Sequence, residues 1–71
     1  MKTRPEVGQI LSHRDGAGPE TFWAVTAVHD WAFSVDVVQL DMDRQPIPDG
    51  RRKVVPFSRL RGRSWQAVEV P

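Results

Sequence analysis

The chain has 71 residues, no cysteine, no tyrosine and a formal net charge of +1. A chain of that length is expected to form one domain, 1–71, near the lower limit for an unassisted core, because only about 60% of its unfolded surface is buried on folding. The absence of cysteine excludes a disulfide framework and thiolate metal sites and sets a cytoplasmic expectation. No apolar run approaches the ~20 residues of a membrane span, and "MKTRPEVGQ" lacks a signal-type apolar region, so no membrane partner is expected.

In chain order the elements read as short strands separated by turn chemistry. "GQILSH" (8–13) has strand length, and "RDGAGP" follows it with Asp15, Gly16, Gly18 and Pro19, which makes a hairpin loop. "ETFWAVTAVH" (20–29) is rich in aromatic and β-branched residues and predicts a second strand. "DWA" makes a tight connection to "FSVDVVQLDM" (33–42), a third strand, and "DRQPIPDG" (43–50), with two prolines and an Asp-Gly, is a loop. "RRKVVP" (51–56) is a strand stopped by its proline, "FSRL" (57–60) suits one helical turn, and "SWQAVEV" (64–70) is the closing strand. No window carries a sustained 3.6-residue apolar period, and there is no repeat.

The fold class expected from these elements is all-β, a small five-stranded barrel with a single short helical turn before the last strand. "EVGQIL" at the start, a long central hairpin, "VVPFSRL" and a final "SWQAVEV" resemble the small SH3-like barrel proteins of bacteria, phages and mobile elements. The resemblance implies the fold and a regulator's context. It assigns no functional residue, because such barrels serve as nucleic-acid modules, peptide readers, inhibitors and, rarely, enzymes. The plasmid-type dihydrofolate reductases, barrels of similar size, carry a Val-Gln-Ile-Tyr segment; "VVQLD" (37–41) keeps the glutamine, Gln39, without the tyrosine. An OB-like barrel is disfavoured, since the chain has no room for that fold's usual helix.

Charge is distributed unevenly. Residues 1–43 carry three basic against seven acidic groups, and residues 44–71 carry seven basic against two acidic. Six of the ten basic side chains, Arg51, Arg52, Lys53, Arg59, Arg61 and Arg63, fall within thirteen positions, with Trp65 just beyond. On a small barrel this segment is expected to form one rim. Its guanidinium groups suit bidentate pairing with phosphate or carboxylate, and Trp65 is expected to stack on a base. The leading expectation is therefore a non-enzymatic module that contacts nucleic acid. The alternative is an inhibitor or adaptor docking on an acidic or apolar surface of a host protein. Glu6, Asp15 and Asp36 are the carboxylates that could neutralise the rim across the sheet.

The second strand raises a separate question. With strict alternation Phe22, Ala24, Thr26 and Val28 point one way and Thr21, Trp23, Val25, Ala27 and His29 the other, so both faces are apolar. Either the strand coils and serves both halves of the barrel, or one face is covered by a partner. In the second case Trp23, Val25 and Trp31 are the interface anchors, and a homodimer is one way to bury them.

Catalytic and metal chemistry finds little purchase, and no cofactor is expected. His13 is expected opposite Glu20, with His29 some nine strand residues away, about 30 Å at ~3.3 Å per residue, too far for a shared metal or relay. Asp41 and Asp43 form a D-x-D, but Gln45 and Pro46 stand where a calcium loop needs its third ligand and glycine. No nucleophile stands out among the serines.

Overall fold

The computed structural model describes residues 5–68. The strands are β1 (Ile10–His13), β2 (Thr21–His29), β3 (Ser34–Leu40), β4 (Arg52–Pro56) and β5 (Trp65–Ala67). A 3-10 turn, Asp30–Ala32, joins β2 to β3, and one helical turn, α1 (Phe57–Leu60), lies between β4 and β5. All pairings are antiparallel in one sheet of order β4-β3-β2-β1-β5, the all-β, five-stranded arrangement expected of the sequence. Positions 69 and 70 of the expected last strand lie outside the described residues.

The sheet is curled. A flat single layer would be on the order of 10 Å through, whereas the molecule measures 31 × 26 × 25 Å. The two edges, β4 and β5, do not pair with one another among the described residues; α1 packs between them and inserts Leu60, 2% exposed, into the core. Leu11, Trp23, Val25, Val35, Val37, Val55 and Trp65 complete that core. Their positions follow from register, since Leu11 faces Trp23, Val25 faces Val37 and Val35 faces Val55 across the ladders, and paired residues share a face.

β2 carries a bulge in its pairing with β3. Val25 pairs with Val37 but Ala27 pairs with Asp36, leaving Thr26 as the extra residue. An added residue resets the alternation and sharpens the local twist. Beyond it Val28 turns to the core side, packed against the core cluster, where strict alternation would have sent it outward. On the opposite face Phe22 and Leu40 are buried separately, beneath the β3–β4 connection: Leu40 bridges to Pro46, and the Arg44 guanidinium sits 5.2 Å from the Phe22 ring centroid. The second strand thus serves both sides, which accounts for its two apolar faces.

That placement corrects the interface expected of Trp23 and Val25. They are 3% and 2% exposed, and the Trp23 indole Nε1 donates a hydrogen bond to Thr21 Oγ1 at 2.8 Å inside the fold. Of the three expected anchors only Trp31, 84% exposed on the 3-10 turn, stands in solvent. Among the described residues no helix is long and apolar enough to cross a membrane.

Candidate functional site

The six clustered cations are all exposed, but the fold does not arrange them as one rim. Successive residues of a strand face opposite ways, so β4 sends Arg52 and Lys53 to different sides. Arg52 lines a shallow depression with Thr26, Asp36, Val38 and Val54 on the outer face, which Lys53 also borders. Lys53 lies on the core side at the mouth of the curled sheet, its Nζ 4.9 Å from the Trp23 ring centroid. The ammonium covers the edge of the core while remaining in water, as long cationic side chains commonly do.

Lys53 and Arg59 meet in an open groove between β1, β4 and the α1–β5 connection, lined also by His13, Asp15, Ser64 and Trp65. A second groove, lined by Ser12, Arg14, Glu20, Arg63 and Ser64, adjoins the first at Ser64. The two grooves open on opposite faces of the β1–β5 ladder, since Ser12, Arg14 and Gln66 alternate with His13 and Trp65: Lys53 and Arg59 border one, Arg14 and Arg63 the other, and Ser64 lies at the edge where they meet. The pairing of first and last strands brings them together. His13 faces Trp65 in the β1–β5 ladder, and the Arg14 backbone N–H donates to the Ser64 carbonyl at 3.0 Å.

Among the described residues none of the six cations, nor Arg14, forms an ion pair with a carboxylate. Asp36, one of the carboxylates expected to neutralise them, is engaged by His29, whose Nε2 lies 3.0 Å from Asp36 Oδ2. Asp15 is in the groove and lowers its net charge without capping Lys53 or Arg59.

Trp65 has a different place from the one expected of it. It is 5% exposed, its ring 6.1 Å from that of Trp23 and covered by His13 at 4.4 Å between centroids. It is the floor of the groove and no platform for a base. His13 is half-buried and pairs with Thr21, one residue from the expected Glu20. Burial, and next the charge of Lys53, hold its pKa below the usual histidine value, while Asp15 works in the opposite direction.

His13 and Arg14 were not legible as site residues from the sequence. The signal available was topological: in a curled sheet whose last strand pairs with the first, residues at the end of β1 neighbour the start of β5. Asp41, the first aspartate of the D-x-D, is occupied within its own loop, its Oδ1 accepting hydrogen bonds from the backbone N–H of Asp43 and of Gln45, each at 2.9 Å. Among the described residues no hydrogen bond links His13 to Ser64 or to Asp15, although all three line one groove.

The β2–β3 turn is aromatic. Trp31 and Phe33 are 84% and 70% exposed, and Phe33 holds a left-handed backbone conformation, φ 50°, as the cap of the 3-10 turn. Its ring meets Phe57 edge-on at 6.4 Å. No family model matches the chain, and comparison with curated proteins and with solved structures gives no match.

Proposed function

We propose that the protein is a non-enzymatic binding module that holds the phosphate backbone of nucleic acid where it passes over the Ser64 edge of the β1–β5 ladder, with Lys53 and Arg59 on one face and Arg14 and Arg63 on the other. The observation that carries this reading is the convergence of four exposed cations on two adjoining grooves with no carboxylate paired to any of them among the described residues. Unpaired surface cations bordering a groove are what a polyanion requires, because each phosphate neutralised releases condensed counterions. Phosphate contacts of this kind give affinity with little sequence preference. Arg51, Arg52 and Arg61 then contribute to the surrounding field rather than to the contact itself, and Trp65 supports the Lys53–Arg59 groove from beneath. A small regulator carried by a phage or mobile element is the setting that the family resemblance implies.

The reading is tested by binding of labelled single- and double-stranded oligonucleotides over a salt series. Replacing Arg59 and Arg63 together by alanine should flatten the plot of log affinity against log salt by about 1.4 to 1.8, from roughly 0.7 per phosphate contact on single strands and 0.9 on duplex. An unchanged slope, or no binding by the unaltered protein at low salt, rejects it. A second reading, docking on a protein partner, is favoured by Trp31 and Phe33, two large exposed aromatics on one turn. Aromatic anchors of that kind dominate protein interfaces.

A further inference from the structure

His13 stands in the groove where two cations already converge, and burial holds its pKa below the usual histidine value. Its surroundings can be enumerated from each neighbouring element. From β4 comes Lys53, from α1 Arg59, and from the β1–β2 loop Asp15, all lining the same groove. From β2 the Thr21 hydroxyl donates to the His13 carbonyl at 3.3 Å, which leaves the imidazole free of that contact. From the β5 side Trp65 lies against the ring at 4.4 Å, and Ser64 lines the groove. Arg14 follows His13 in sequence and lines the adjoining groove.

In the unliganded protein these groups favour neutral imidazole: desolvation against Trp65 and the nearby ammonium of Lys53 both oppose a second positive charge. An anion seated between Lys53 and Arg59 reverses the second of these effects. It neutralises the charge that repels the proton and offers the imidazolium an acceptor, so protonation and anion binding reinforce each other. By reciprocity, whatever factor the proton adds to anion affinity, the anion adds to proton affinity.

We propose that His13, Lys53 and Arg59, with the Ser64 hydroxyl, form a phosphate seat completed when His13 takes up a proton, so that phosphate is held more tightly in mildly acid than in neutral solution. The proposal rests on the nucleic-acid reading for its natural ligand, a backbone phosphate, but the seat can be examined without a nucleic acid. Asp15 limits the seat at neutral pH, and Asp15→Asn should strengthen it.

The experiment follows the imidazole resonances of His13 by NMR from pH 5 to pH 8, alone and with saturating inorganic tripolyphosphate. In parallel, oligonucleotide affinity is measured at pH 7.5 and pH 5.5. We expect the His13 midpoint to move up in tripolyphosphate and oligonucleotide affinity to rise on the order of tenfold at the lower pH. Arg59→Ala, an exposed site that leaves the core untouched, should abolish the movement of the midpoint, and His13→Gln should remove the pH dependence of affinity. A midpoint unmoved by tripolyphosphate, or one that moves equally in Arg59→Ala, overturns the seat even if oligonucleotides bind. A midpoint that moves while no oligonucleotide binds upholds the seat and rejects the nucleic-acid reading instead.

Discussion

Trp23 and Trp31 stand only eight positions apart, yet one is 3% and the other 84% exposed. Trp23 lies in the ladder across from Leu11 and Gln39, contributes to the core and carries the Lys53 ammonium over its ring. Trp31 sits on a three-residue turn with the ring of His29 as neighbour, 6.2 Å between centroids and edge-on. Residue type does not separate them. Place in the fold does: Trp23 is held in the ladder on the core side, whereas Trp31 lies beyond the end of β2 on the turn. The comparison also divides the molecule functionally, with structural tryptophans beneath the cationic grooves at one side and free aromatics at the β2–β3 turn.

The largest effect that can break this division is loss of the buried ring. Trp23→Ala should cost about 3–5 kcal/mol, a large share of the 5–15 kcal/mol available to a small domain, whereas Trp31→Ala should stay within about 0.5 kcal/mol of the parent. Chemical denaturation of the two variants side by side measures both. Comparable destabilisation by the two would mean that Trp31 is covered, by a second copy or otherwise, and the division as drawn would fall.

A smaller effect sharpens the comparison at the turn itself. Phe33 adopts φ 50°, a conformation that costs a bulky residue on the order of 1 kcal/mol and that asparagine tolerates. The edge-on contact with Phe57 that the substitution removes is worth about 0.5 kcal/mol at so exposed a site. Phe33→Asn should therefore leave stability equal or raise it by up to about 1 kcal/mol, as read from the denaturation midpoint. A loss beyond about 1 kcal/mol would show that the aromatic turn is part of the fold rather than a surface feature placed on it.

Strand boundaries were legible because turn chemistry punctuates the chain: the 14–19 loop, the proline-bearing 43–50 loop and Pro56 each end an element where the structure ends it to within a residue or two. The exceptions have local causes. β3 starts after Phe33 because that residue is left-handed, and it stops at Leu40 because Asp41 turns its carboxylate onto the loop backbone. The bulge was not legible, since Thr26 carries no mark that distinguishes it from an ordinary strand residue. Assuming strict alternation through it put Val28 on the wrong face and left Trp23 and Val25 as candidates for an exposed patch.

The site was legible as composition and not as geometry. The arginine run marked β4, α1 and the approach to β5, but alternation within β4 divides Arg52 from Lys53, and the chain-distant partners His13 and Arg14 arrive only through the β1–β5 ladder. Trp65 looked available for stacking because a tryptophan after a basic run invites that role, yet its strand pairs with β1 and carries the ring inward.

The most direct test of the central claim is amide chemical-shift mapping of the protein titrated with a short oligonucleotide at low salt. The account predicts that perturbations gather on His13, Arg14, Lys53, Arg59, Arg63 and Ser64 and spare Trp31 and Phe33. Perturbations confined to the Trp31–Phe33 turn, with the grooves unmoved, would contradict it.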